Sequence, residues 1–184
     1  MKYFLGVLGV ILILILIVVL AVRGGDDTSS TESVKRLSEY ATEANAEAVY
    51  TQAGAINAEE NHRIVQITVN GSTRTFEVLD GYNGKASVTK TYPNTTAAFE
   101  ALLAGLEQVG FSQTRKSNTS FDSVCPTGER YSYALNSGDE KIVDAWSANC
   151  NKGTFGGNAH QTARLFQAQI PDYQDLTSDV SFSL

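Results

Sequence analysis

The most definite chemistry in this 184-residue chain belongs to its two cysteines, Cys125 and Cys150. Two thiols can close a disulfide or, with histidines, help to hold a metal. The two histidines, His62 and His160, stand far apart, so no zinc spacing exists. His62 follows Glu59 and Glu60, and His160 falls in the first turn of an expected helix. A metal site or a triad would need both, or one with distant carboxylates, brought together by the fold. Gly153, Gly156 and Gly157 precede the same helix and could offer backbone amides to an anion. No lysine follows them in a Walker arrangement and no G-x-G-x-x-G register is present, so they read as a tight turn. No catalytic, cofactor-binding or metal-ligating residue is assigned, and the chain is expected not to be an enzyme.

The cysteines must be positioned by the segments between them. GERYSYALN and DEKIVDAWSAN flank Ser137-Gly138 and read as a β-hairpin with a short turn. If Asn136 pairs with Asp139, paired positions sum to 275, and 125 plus 150 also make 275. The sulfurs then face each other at the open end of the hairpin, and a Cys125–Cys150 disulfide is expected. That register gathers Tyr131, Tyr133, Leu135, Ile142 and Trp146 on one face. It also puts Asp144 on that apolar face, opposite Tyr131, where a carboxylate would need partners or an upward pKa shift. A strand bulge or a water-exposed edge would equally account for Asp144. Pro126 marks where regular pairing stops. The alternative for the cysteines is a pair of reduced, buried thiols.

A disulfide places the domain outside the cytoplasm, because such bonds persist in oxidising compartments. The N-terminus supplies the means of holding it there. Tyr3 to Val22 is a run of twenty residues without a charge, bounded by Lys2 and Arg23. At about 1.5 Å per residue a helix of that length covers roughly the hydrocarbon thickness of a bilayer. A retained transmembrane anchor is expected, in contact with the lipid bilayer through Tyr3 to Val22. Cleavage after Ala21 is the alternative. Lys2 on one side and Arg23, Lys35 and Arg36 on the other leave orientation to the cysteines.

Beyond Arg23 the chain carries all 20 acidic residues against 12 Lys and Arg, because Lys2 and Arg23 account for two of the 14; this part is therefore at −8. Such a surface repels phosphate backbones, and nucleic acid is not an expected partner. The sequons at Asn70, Asn94 and Asn118 would matter only in a eukaryotic secretory pathway.

Residues 24 to 47 read as a polar linker or stalk, with helical spacing through Val34, Leu37, Ala41 and Ala44. Ala48 to Ile56 reads as a first strand or lead-in. His62 to Asn70 and Ser72 to Asp80 flank Asn70-Gly71, a strong hairpin signal, with Val65 expected opposite Phe76. Ala86 to Tyr92 adds a third strand, and Pro93 stops the sheet. Asn94 or Thr95 can cap a helix carrying Phe99, Leu102, Leu103, Leu106 and Val109 on one side, ended by Gly110. Ser112 to Val124 reads as a polar loop. A second helix spans Ala159 to Gln169, with Ala159, Ala163, Phe166 and Ile170 down one side. Residues 174 to 184 read as a flexible tail.

Four stretches, GAINAEENHRIVQITV, CPTGERY, GTFGGN and LFQAQIPDY, resemble segments of uncharacterised single-pass membrane-anchored surface proteins of small-genome bacteria, over roughly Gly54 to Tyr173. The resemblance implies a bacterial, extracytoplasmic, anchored protein and supplies no catalytic residues.

The expected fold class is α+β: an N-terminal transmembrane helix over residues 1 to 23, then a domain over 48 to 173. That domain is a two-layer one, an antiparallel sheet with two helices on one face and one disulfide. The expected function is binding or scaffolding of an unknown protein or envelope partner at the cell surface, without a cofactor. The alternatives are a pilin-like filament subunit and an envelope hydrolase built on Asp144, His62 or His160.

Overall fold

A computed structural model describes residues 35 to 182. The anchor expected over Tyr3 to Val22, and the cleavage alternative after Ala21, lie outside the described residues. Among the described residues no helix is long and apolar enough to cross a membrane.

Seven antiparallel strands form one sheet in the order β4-β3-β2-β1-β5-β6-β7. They are β1 Ala46–Ala53, β2 Arg63–Asn70, β3 Thr73–Asp80, β4 Lys85–Pro93, β5 Arg130–Ser137, β6 Glu140–Ala148 and β7 Lys152–Gly153. The first four make a meander. Helix α1, Thr96–Gln108, then carries the chain back so that β5 pairs on the free side of β1. The central strand is thus the one that the sequence marked only as a first strand or lead-in.

Alternation along the strands sends Ala48, Tyr50, Val65, Ile67, Val69, Phe76, Tyr133, Leu135, Val143 and Ala145 into one buried layer. Phe99, Leu102, Leu103 and Leu106 of α1 and Phe166 of α2, Ala159–Gln167, close over that layer. The fold is therefore α+β with the helices packed on one face of an antiparallel sheet, as expected. Thr95 accepts a hydrogen bond from the amide of Ala98 at 3.2 Å, and Gly110 takes φ 79° just past the end of α1. The other sheet face carries Thr51, Gln66, Thr68, Thr75, Glu77 and Ser132, all partly exposed.

Two hairpin registers differ from expectation, for identifiable reasons. In β2–β3, Ile67 rather than Val65 lies opposite Phe76, and Val65 meets Val78. The Asn70 side chain accepts from the amides of Ser72 and Thr73 at 2.9 and 2.8 Å, lengthening the loop. Gly71 does not adopt the positive φ of a type I′ turn. A two-residue slip preserves the faces, so the same side chains remain buried.

In β5–β6 the slip is odd and the faces exchange. Ser137 pairs with Glu140 around Gly138-Asp139, with Gly138 at φ 58°. A bulge between Leu135 and Asn136 then brings Leu135 opposite Val143, Tyr133 opposite Ala145 and Tyr131 opposite Ser147. Ile142 and Trp146, expected beside the tyrosines, lie on the opposite face.

The folded unit begins at Lys35, ahead of the expected boundary at residue 48. Leu37 and Ala41, in a 3₁₀ turn over Leu37–Thr42, are buried in the core, and Lys35 and Ser137 both bond Glu43. The stretch assigned to a stalk from residue 35 onward is part of the domain. The expected tail, as far as residue 182, also packs against it: Tyr173–Thr177 forms a short helix, α3, and Tyr173, Leu176, Val180 and Phe182 pack on the core. The Phe182 carbonyl accepts from the amide of Ala55 at 2.9 Å.

Candidate functional site

The site begins with alternation on two neighbouring strands. Tyr131 and Tyr133 share a face of β5, and their partners across the ladder are Gln52 and Tyr50 of β1 and Ser147 and Ala145 of β6. These side chains, Ala145 apart, form the floor of a cleft of about 510 Å³. Its roof is α2, which presents Ala159, Ala163 and Gln167 at i, i+4 and i+8 along one row, with His160 and Arg164 beside them. Two alanines in that row leave the gap. Where the row's neighbour is large, the gap closes: Phe166 stacks on Tyr50 with centroids 5.5 Å apart.

One end is walled by the GTFGGN segment. Phe155 stacks on Tyr133 at 4.1 Å, and Gly156 donates its amide to the Gln113 carbonyl at 2.8 Å. The glycines answer close approaches. Gly153 has φ 137°, and a Cβ there would meet the Trp146 carbonyl oxygen at 2.2 Å; a Cβ on Gly157 would meet that of Gly110 at 2.4 Å. They permit the tight turn that the sequence suggested, and Gly156 and Gly157 also line the cleft. Asn158 caps α2 by accepting from the amide of Gln161 at 3.0 Å.

The other wall is the turn bearing the disulfide. Cys125 and Cys150 are bonded, with Cα atoms 6.1 Å apart. Neither lies in the strand ladder, contrary to the hairpin geometry that suggested the bond. The turn Cys125 to Gly128, closed by the Gly128 amide on the Cys125 carbonyl at 2.9 Å, brings the sulfur back to Cys150. On either side of Cys150, Asn149 and Asn151 line the cleft.

The floor is polar, neutral and internally satisfied. Glu129 accepts from the Tyr131 hydroxyl and from Gln52 Nε2, each at 2.7 Å. Tyr133 and Ser147 share a hydrogen bond of 2.9 Å, and Tyr50 makes a long contact of 3.5 Å to Gln52 Oε1. Burial pushes the phenols of Tyr50 and Tyr131 far above their usual range, Glu129 adding to the shift at Tyr131, and raises that of Tyr133 to about 12. All three stay protonated at physiological pH. They serve as hydrogen-bonding groups, not as bases. Ser147, the one hydroxyl nucleophile of the lining apart from the phenols, is bonded to Tyr133 instead of a base.

The sequence candidates are not brought together. His160 stands at the rim of the cleft. His62 is buried elsewhere, its ring 4.1 Å from that of Tyr82 and its Nδ1 3.0 Å from the Ala55 carbonyl. Asp144 lies opposite Ala134 on the exposed face, its side chain 62% exposed and bonded to Lys141 at 2.8 Å. The strand bulge that the sequence offered as an explanation for Asp144 is present, and it turns the carboxylate to solvent. Among the described residues no group of three or more His, Cys, Asp and Glu is placed to hold a metal ion.

Tyr50, Gln52, Arg115, Glu129 and Arg164 were not singled out by sequence. The usable signal was Tyr131 and Tyr133 at alternate positions. Their partners on β1 depend on a pairing across about eighty residues that no local pattern encodes. Compared with protein-family models and with curated proteins, the chain matches none.

Proposed function

We propose that this chain is a membrane-tethered binding module whose cleft, formed by β1, β5, β6 and α2, holds a small ligand outside the cytoplasm. The observation that carries the reading is the cleft itself. Its volume of about 510 Å³ falls within the range typical of small-molecule sites. Its floor spends its hydrogen bonds internally, so the cavity is held open by its own structure. The tether is supported by the uncharged run Tyr3 to Val22, and the compartment by the disulfide in one wall. The resemblance to anchored bacterial surface proteins points the same way. Binding is preferred to hydrolysis because the phenols are neutral and Ser147 is hydrogen-bonded to Tyr133, not to a base.

The test is native mass spectrometry of the full-length chain gently extracted from its own membrane. Wild type is expected to carry a non-covalent adduct, and Ala163→Trp, which fills the space under α2, to lose it at unchanged melting temperature. Asp144→Ala, on the far face, should keep it. An adduct retained by Ala163→Trp, or none on wild type, would overturn the reading.

A further inference from the structure

We infer that the cleft is an oxyanion site, gripping the carboxylate or phosphate end of its ligand with Arg115 and Arg164. The inference rests on the cleft being the binding site, and it comes from counting what the lining has left to offer. No aspartate or glutamate lines the cleft, although the chain as a whole is at −6. Two arginines do. Glu129, the nearest carboxylate behind the floor, already accepts two short hydrogen bonds through one oxygen.

The arginines are not consumed by the protein. Arg115 is anchored at its base: its amide donates to the Thr154 carbonyl at 2.6 Å and its Nε to the Gly153 carbonyl at 3.0 Å. Its two terminal nitrogens bond no described residue. The Arg164 guanidinium has no hydrogen bond or ion pair with any described residue and is exposed at the rim. A guanidinium only donates, and its fork matches the paired oxygens of a carboxylate or phosphate. Asp172 and Asp175 line a separate pocket that Arg164 also borders, but neither bonds it, and unspent donors in a cleft that no acid lines call for an acceptor that brings negative charge. In a chain whose net charge repels anions, such a ligand is held by local geometry and short-range contacts.

The cleft is larger than a bare ion requires. The ligand therefore has a body, which would lie along Tyr131 and the Ala159–Ala163 row, within reach of the Asn149 and Asn151 amides.

The inference is tested on the full-length chain in neutral detergent by amide chemical-shift titration with sodium acetate and with inorganic phosphate, at ionic strength fixed with chloride. Saturable shifts at Asn151, Gly156, Gly157 and His160 are expected. Arg164→Gln should weaken binding at least about tenfold, as loss of a charged hydrogen bond implies. Arg115→Gln with Arg164→Gln should abolish it, and Lys141→Gln on the far face should leave it unchanged. Saturation by acetate alone would identify a carboxylate ligand, and by phosphate alone a phosphorylated one. Absence of saturation with both ions, or shifts unaltered in both arginine variants, would overturn the inference. The two readings fail separately: an adduct lost by Ala163→Trp but kept by the arginine variants would overturn the oxyanion inference and leave the cleft standing, whereas an adduct kept by Ala163→Trp would overturn the cleft itself.

Discussion

Burial makes His62 a base that the folded protein prefers not to charge. Desolvation lowers its pKa from 6.5; the hydrogen bond with the Ala55 carbonyl pulls it part of the way back, and the weaker repulsion of Arg130 and Arg63 lowers it again. The unfolded chain therefore takes up the proton first. The neutral imidazole's stabilisation is complete above the unfolded value of 6.5 and is lost as pH falls through it towards the lower folded value. Urea denaturation at pH 7.5 and 5.5 should show a lower midpoint at 5.5, and His62→Gln should flatten that difference. A midpoint that is unchanged or higher at 5.5 would contradict the assignment. Arg130 beside it is likewise buried, bonding the Gly54 carbonyl at 3.2 Å and lying over the Phe121 ring at 5.2 Å. The sequence singled out His62 only for possible chemistry and did not mark Arg130, because the rings that cover them, Tyr82 and Phe121, come from turns that local patterning does not place.

Among the elements, the disulfide turn matters most to the cleft, since it fixes Asn149 and Asn151. Closing a loop between cysteines 25 residues apart is worth about 3.5 kcal/mol in the chain-entropy picture. Replacing Cys125 and Cys150 with serine should lower stability by about that amount in denaturant titration, and should weaken ligand capture more than Lys141→Gln does. A double variant as stable as wild type would show that the loops hold without the bond. The sequence made the elements legible and their registers less so. Helix α1 was plain because Thr95, the Phe99 to Leu106 stripe and Gly110 all act locally. In β2–β3 the turn chemistry of Asn70 displaced the pairing by an even number, and the core faces survived. In β5–β6 the bulge made the displacement odd, sending Asp144 and Trp146 outward and leaving Tyr131 and Tyr133 over the cleft. The disulfide was anticipated correctly from a register that does not occur, because Gly128 lets the preceding loop make up the difference.

At the scale of the molecule, one sheet does two jobs. Its half bearing β2 to β4 is packed with aliphatic and aromatic side chains, whereas at β1, β5 and β6 it trades some of them for tyrosines, Gln52 and Ser147 beneath an alanine-lined helix. The domain has its N-terminal side at Lys35, which leaves the short polar run from Gly24 between it and the uncharged segment. The proposed tether and compartment decide which ligands can reach the cleft. The most direct measurement is the intact mass of the protein purified from membranes after thiol alkylation without reduction. The account predicts the full-length chain carrying no alkyl group: anchor retained, Cys125 and Cys150 joined, and the cleft outside the cytoplasm. Two alkyl groups would place reduced thiols in the native protein and contradict the oxidising compartment, and a chain beginning near Val22 would contradict the tether.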